Sequence, residues 1–304
     1  MRHALPLTLL CMLLACSREA PSPAQRAEPL RSPQQQSTAS QPAGRIVAIG
    51  DLHGDLDATR RALRLASAIT PDDHWSGGKL TLVQTGDTLD RGDQDREVID
   101  LIERLRAEAS RAGGAFIALS GNHEIMNVAG DLRYVSHTSA AAFEQGRAQA
   151  FAPGAAYALR LAGWPVIAQV GESVFVHGGV LPHHVRYGIE RLNRETAAWM
   201  RGAAPQPALL TQEDAPIWTR VYSTPSMPAD CVQLAQALNA LGAKRMVVGH
   251  TPQPQGISSA CDERVFRIDT GMSHFYGGPV QVLEISGEQV RVLSESTAAA
   301  QPRP

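Results

Sequence analysis

Five short apolar runs in this sequence end alike, each passing into a glycine or a turn that carries Asp, Asn or His. Arg45 to Ile49 leads into Gly50-Asp51-Leu52-His53-Gly54, and Leu80 to Thr85 into Gly86-Asp87-Thr88-Leu89-Asp90-Arg91-Gly92. Ala115 to Leu119 leads into Ser120-Gly121-Asn122-His123-Glu124, Ser173 to Val176 into His177-Gly178-Gly179, and Lys244 to Val248 into Gly249-His250-Thr251-Pro252. Runs of this kind, rich in β-branched residues and stopped by glycine, read as strands. Amphipathic stretches separate the first three: about 55–69, with Leu56, Leu63 and Leu65 or Ala66 on one face, and about 94–111, with Val98, Leu101, Ile102 and Leu105 at helical spacing. The alternation predicts a βαβαβ opening with parallel strands, and so an α/β fold. Further strands are expected over 165–170, 265–268, 280–285 and 289–293, the last two as a hairpin about Ser286-Gly287, and helices over 190–200 and 231–241. In open α/β sheets ligands collect beyond the carboxyl ends of the strands. The loops are therefore expected to meet at one site.

The 304 residues carry 28 Lys+Arg against 30 Asp+Glu, a net charge of -2, whereas an electrostatically driven nucleic-acid binder needs a basic excess. No nucleic-acid partner is expected. At the N terminus a basic start, Arg2 and His3, precedes an apolar run over 4–15 that is too short for a permanent membrane span, so residues 1–15 read as a signal peptide. It closes on Leu13-Leu14-Ala15-Cys16, which resembles the bacterial lipoprotein lipobox, with cleavage before Cys16 and lipid on its sulfur; an ordinary secretory signal is the alternative. Residues 16–44, rich in Pro, Ser, Gln and Ala, suit a flexible tether, and 296–304 a disordered tail. The folded body is then one domain over 45–295, held in the bacterial cell envelope by lipid alone and facing the periplasm. In that oxidising compartment Cys231 and Cys261 become disulfide candidates, with buried free thiols as the alternative.

The loop residues Asp51, His53, Asp87, Asn122, His177 and His250 offer carboxylate, amide and imidazole donors and no thiolate. Such a mixture favours manganese, iron or zinc over copper, iron–sulfur clusters or an all-oxygen calcium cage. Six donors exceed what one open catalytic ion uses. Two ions about 3.5–4 Å apart that share a carboxylate use all of them and leave room for a bridging water. Any one of these residues alone reads as a turn, cap or core group. Their recurrence at separate strand ends carries the functional reading.

These motifs resemble, in order and spacing from about residue 45 to 293, the signature set of the phosphoprotein phosphatase family of metallophosphoesterases. Gly121-Asn-His-Glu-Ile-Met-Asn127, Phe175-Val-His-Gly-Gly179, Pro216-Ile-Trp-Thr-Arg220 and Asp269-Thr-Gly-Met-Ser273, followed by Phe275-Tyr-Gly-Gly278, bring the likeness closest to the bacterial-type Shewanella-like phosphatases. The resemblance implies the calcineurin-like metallophosphoesterase fold, a central β-sandwich flanked by helices in αββα layers with a di-metal site at the strand carboxyl ends. It implies two divalent ions, manganese first, with iron or zinc as alternatives. Asp51, His53 and Asp87 would hold one, and Asp87 would bridge to a second on Asn122, His177 and His250. His123 would be the general acid and Asp90 its orienting carboxylate, while Arg91 and Arg220 would grip phosphate oxygens. General chemistry agrees: a leaving alkoxide needs a proton, which an imidazolium held by a carboxylate supplies, and a guanidinium fork suits phosphate.

The implied activity is metal-dependent hydrolysis of phosphomonoesters on proteins or peptides, phosphotyrosine and/or phosphoserine and phosphothreonine. The Shewanella-like resemblance points to phosphotyrosine. A symmetrical dinucleoside polyphosphate hydrolase shares the opening motifs and is the alternative; a non-catalytic envelope module is weaker, because no ligand and no acid is missing. The chain departs from the eukaryotic serine/threonine enzymes where Asp269-Thr-Gly-Met-Ser-His274 and Tyr276 replace their cleft motif. His74, His183 and His184 read as surface residues, as do Arg133 and His137, which fall where a lid would lie. Oligomeric state is left open.

Overall fold

A computed structural model describes Met1, residues 44–224 and residues 227–295. The expected signal peptide, lipid-bearing Cys16, tether and tail, apart from Met1 and Gly44, lie outside the described residues. The chain divides into Met1–Ser37 and Thr38–Pro304, and all that follows concerns the second unit.

The strands are β1 (Ile46–Ile49), β2 (Thr81–Gln84), β3 (Ala115–Ala118), β4 (Ile167–Val170), β5 (Ser173–Val176), β6 (Arg245–Val248), β7 (Ser258–Ala260), β8 (Val265–Arg267), β9 (Gln281–Ser286) and β10 (Gln289–Ser294). They form two five-stranded sheets, ordered β10-β9-β1-β2-β3 and β4-β5-β6-β8-β7. The expected parallel opening is present, with Ile46 opposite Thr81 and Thr81 opposite Ala115. The β9–β10 hairpin closes this sheet antiparallel on β1. In the second sheet β5, β6 and β8 run parallel between antiparallel edges.

The helices are α1 (Leu56–Leu65), α2 (Asp95–Arg111), α3 (Asn122–Val128), α4 (His137–Ala141), α5 (Arg147–Phe151), α6 (Ala156–Leu161), α7 (Pro182–Tyr187), α8 (Ile189–Met200) and α9 (Pro228–Leu241). Strand alternation sorts the core into two layers. Ile46 and Ala48 join Val83, Phe175, Val247, Phe266 and Leu283, residues of both sheets, in the layer between the sheets. Val47 and Ile49 instead pack with Leu63, Val98 and Leu105 of α1 and α2. The central strands are thus covered on both faces, which is why they read as continuous apolar runs. The result is the αββα sandwich of the calcineurin-like fold.

Some boundaries differ from expectation. α1 stops at Leu65, short of 69, because Ser67 takes a left-handed φ of 55° and Ile69 turns back to bridge Trp75. β4 begins at Ile167, where the Asn193 side chain occupies the N–H groups of Val166 and Ile167. β7 is Ser-Ser-Ala, with no apolar signal, and exists because it pairs with β8. Helices α3 to α7 are each at most 7 residues, too short to display a period. Cys231 and Cys261 are disulfide-bonded, joining the first turn of α9 to the turn before β8.

Candidate active site

The five loops converge on Asp87. Its Oδ2 lies 3.1 Å from His177 Nε2, 3.7 Å from His123 Nε2 and 3.9 Å from His53 Nε2. His177 Nε2 is also 2.9 Å from Asn122 Oδ1 and 3.0 Å from His250 Nδ1, and Asp51 Oδ2 stands 3.9 Å from His53 Nε2. All six residues expected as ligands are buried, none more than 6% exposed. Asp87 belongs to two groups of possible metal donors, one with His53 and His123 and one with His177 and His250.

Local backbone geometry aims these side chains. His53, Asp87, Asp90, Arg91 and His250 all have left-handed φ, between 47° and 70°, a cost that persists only where surrounding structure enforces it. The Glu124 carboxylate does part of that enforcing. It accepts the N–H groups of Asp87, Thr88, Leu89 and Gly121 at 2.8 to 3.2 Å, which fixes the Asp87 turn onto the start of α3. Burial and the Asp87 charge push its pKa up to about 7 against the Gly121 and Asp87 N–H groups and His177. Two glycines are required by contact: a Cβ on Gly121 would lie 2.3 Å from Asp87 Oδ1, and one on Gly249 2.4 Å from Asp51 Oδ1.

Three imidazoles are oriented by backbone carbonyls. His53 Nδ1 faces Leu89 O at 3.1 Å, His177 Nδ1 faces Thr85 O at 3.0 Å and His250 Nε2 faces Trp218 O at 3.1 Å. A carbonyl only accepts, so those nitrogens carry the protons and the opposite nitrogens present lone pairs to the centre. Burial lowers the pKa of His53 to about 4 and of His250 to about 2, holding both in the neutral form that binds metal. Burial together with Asp269 and Asp87 raises Asp51 well above the usual carboxylate range, and a cation would reverse that. Lone pairs of His177 and His250 pointed at each other across 3.0 Å, beside a carboxylate, fit divalent metal.

His123 shares the first of these groups but differs from the other imidazoles in pairing with a carboxylate instead of a backbone carbonyl. Its Nδ1 is 2.7 Å from Asp90 Oδ2, leaving Nε2 toward Asp87. Burial alone would lower its pKa, but Asp87 and the Asp90 hydrogen bond raise it above the ordinary value. Asp90 is itself held by Asn127 Nδ2 at 2.9 Å and Arg147 Nη2 at 3.1 Å. Arg91 stacks over Tyr134, 3.9 Å from the ring centroid, and reaches Phe275 at 5.1 Å, while its Nε finds no partner among the described residues. Arg220 donates from Nη1 to His250 O and Thr251 Oγ1, both at 2.8 Å, at the exposed mouth.

Residues 44–254 match the calcineurin-like phosphoesterase family. Shewanella-like protein phosphatase 2 of Arabidopsis thaliana is 36% identical over 83% of this chain and 78% of its own length. Shewanella-like protein phosphatase 1 of Plasmodium berghei is 32% identical over 82% and 74%. The chain belongs to the calcineurin-like phosphoesterases, in their Shewanella-like protein phosphatase branch. The fold agrees: the cold-active protein-tyrosine phosphatase of a psychrophilic Shewanella superposes with a TM-score of 0.72 at 23% identity, over 83% of this chain and 81% of that one. Membership makes this phosphoesterase a metal-dependent phosphatase, a phosphoric monoester hydrolase that uses divalent ions.

Around this phosphatase's centre the structure adds residues that sequence reasoning did not single out. Glu124 and Asn127 lay inside a quoted motif without a role. Arg147 and Tyr134 lay in no motif, and only folding brings them to Asp90 and Arg91. Tyr276 packs 5.3 Å from His53, and His274 is exposed with its N–H on Asp55. Arg133 pairs with Asp131 in solvent, His137 opens α4, and His74 lies at the surface against Glu108. His184 corrects the surface reading: it is 1% exposed, because its Nδ1 accepts the Leu181 N–H and draws the ring under the turn that starts α7.

Proposed function

We propose that this phosphatase hydrolyses phosphomonoesters on proteins or peptides, with phosphotyrosine preferred. Asp51, His53 and Asp87 hold one ion, and Asp87, Asn122, His177 and His250 hold the second. Bound there, two divalent ions, manganese first, supply Lewis acidity that lowers the pKa of water and neutralises charge on the phosphoryl group. Arg91 and Arg220 bind the phosphoryl oxygens as planar donor forks. His123 Nε2 carries the proton for the leaving oxygen, and Asp90 stabilises the imidazolium that carries it. Asn127 and Arg147 keep Asp90 from rotating away.

The single observation that supports the aryl preference is the aromatic rim. Tyr134 and Phe275 both lie against the Arg91 guanidinium, and Tyr276 packs on His53. Phe275 and Tyr276 are 55% and 40% exposed, which leaves ring surface open beside Arg91. A phenyl phosphate can stack there while its phosphate meets Arg91. The names of the relatives support a phosphoprotein substrate. Manganese-dependent phosphate release from phosphotyrosine, phosphoserine and phosphothreonine peptides, in competition with diadenosine tetraphosphate, tests the reading. Turnover of the nucleotide alone would replace it with the dinucleoside alternative.

We place the protein in the bacterial cell envelope, anchored through lipid on Cys16 and facing the periplasm. The Leu13-Leu14-Ala15-Cys16 sequence supports this. Mass spectrometry of the mature N terminus tests it, an unmodified N terminus at another residue being the result against it.

A further inference from the structure

Asp269 is a carboxylate that neither the ligand set nor the acid dyad uses. It follows β8, a sixth apolar run, and stands between two of the site's turns. Its carbonyl accepts the Gln253 N–H at 2.7 Å, beyond the Gly249-His250 turn. On the other side Ile268 O is so close to Gly50 that a Cβ there would lie 2.4 Å away, which locks the end of β8 against the Gly50-Asp51 turn. The segment after it is tied to α1, where His274 N–H meets Asp55 Oδ2 at 2.7 Å.

The side chain is 1% exposed. Oδ1 accepts the Gly271 N–H at 2.8 Å, but Oδ2 has no hydrogen-bond donor among the described residues. Burial shields that oxygen from solvent. A Cβ on Gly50 would also lie 3.0 Å from Asp269 Cα, which sets the residue beside the Asp51 turn, and after burial its electrostatic neighbours are His177, Asp87 and Asp51. A buried carboxylate oxygen beside two others is costly unless a cation takes it up. The first ion position, with Asp51, His53 and Asp87, has fewer protein donors than the second, with Asp87, Asn122, His177 and His250.

We propose that Asp269 is an additional metal-binding carboxylate of the first ion position, acting beside Asp51. The inference rests on the ligand assignment above. It predicts opposite effects on the empty and loaded protein. Removing one charge from the cluster relieves repulsion without metal and removes attraction with it. A residue that only braces the loop would weaken both states.

The test is Asp269→Asn, which keeps the Gly271 acceptor and the volume. Manganese binding is measured by titration calorimetry and by metal analysis after gel filtration, beside wild type. Thermal unfolding is measured in chelator and in manganese. Expected are a fall of about 10- to 100-fold in affinity at one of two ions, an unfolding temperature in chelator equal to or above wild type, and a smaller rise with manganese. Two ions bound with wild-type affinity would overturn the proposal, as would lower stability in chelator. A wild type that binds no manganese would sink the ligand assignment itself, a result distinct from either.

Discussion

Replacing Arg147 by Met should damage both stability and turnover while leaving substrate contacts alone. The guanidinium is buried, its side chain 2% exposed, against the edge-to-face pair of Phe143 and Phe151. It bonds Asp95 at 2.7 Å, Asp90 at 3.1 Å, Asn127 Oδ1 at 2.7 Å and Ser139 Oγ at 3.0 Å. Methionine fills much of the volume but strands two carboxylates that are 0% exposed. Breaking a buried ion pair from one side costs about 3–5 kcal/mol. At about 2–4 °C per kcal/mol for a body of this size, the melting temperature should fall by roughly 6–20 °C. Burial already holds the Asp95 pKa above normal against Arg147, so the stranded acid should take up a proton more readily still. Asp90 would keep Asn127 but lose its second anchor, and a slack His123 should lower kcat by up to about 100-fold. KM should hold, since Arg147 touches neither Arg91 nor Arg220. Calorimetry and steady-state kinetics on a phosphotyrosine peptide measure both, and adding Asp95→Asn should restore part of the stability. An Arg147→Met variant that melts within about 2 °C of wild type and keeps its kcat would refute the reasoning.

Three further outcomes are expected. His123→Ala should keep two manganese ions yet lose kcat by about 100- to 10,000-fold, whereas Asp87→Ala should lose both ions by metal analysis; equal metal content would contradict the bridging role. His184, pushed down to about 4 by burial, stays neutral in the fold while the unfolded chain protonates near pH 6.5. Its stability contribution is therefore complete above that pH and falls as pH drops toward 4, by at most about 3 kcal/mol, so urea midpoints of His184→Gln should vary less between pH 7.5 and 4.5 than those of wild type. Replacing Cys231 and Cys261 by Ser should lower stability by about 3–4 kcal/mol from loop entropy, read in urea without reductant; an unchanged midpoint would argue against the bond.

The candidate ligands were legible because a strand leaves few places for ligand chemistry of this kind to stand: an apolar run that stops, most often at glycine, delivers the next polar side chain to the sheet's end. Asp51, Asp87, Asn122, His177 and His250 each follow such a run, so chain order alone groups them. His123 and Asp90 needed the family resemblance, since a hydrogen bond across 33 residues leaves no local trace. His184 was misread because burial follows from the turn that draws it in rather than from its polar type.

What the sequence determined by itself is the strand pattern, the parallel opening and the donor types at each strand end, because these depend on local periodicity and on backbone steric rules. Only the tertiary structure decided which sheet each strand joins, that Ile46 and Ala48 face the second sheet while Val47 and Ile49 face helices, and that Arg147, Glu124 and Asp269 meet the site. Those facts come from packing and charge pairing between segments distant in the chain. Arg147 reaches Asp90 over 57 residues and Asp51 accepts the His250 N–H over 199, and no local pattern carries a contact that two remote segments create only by folding together.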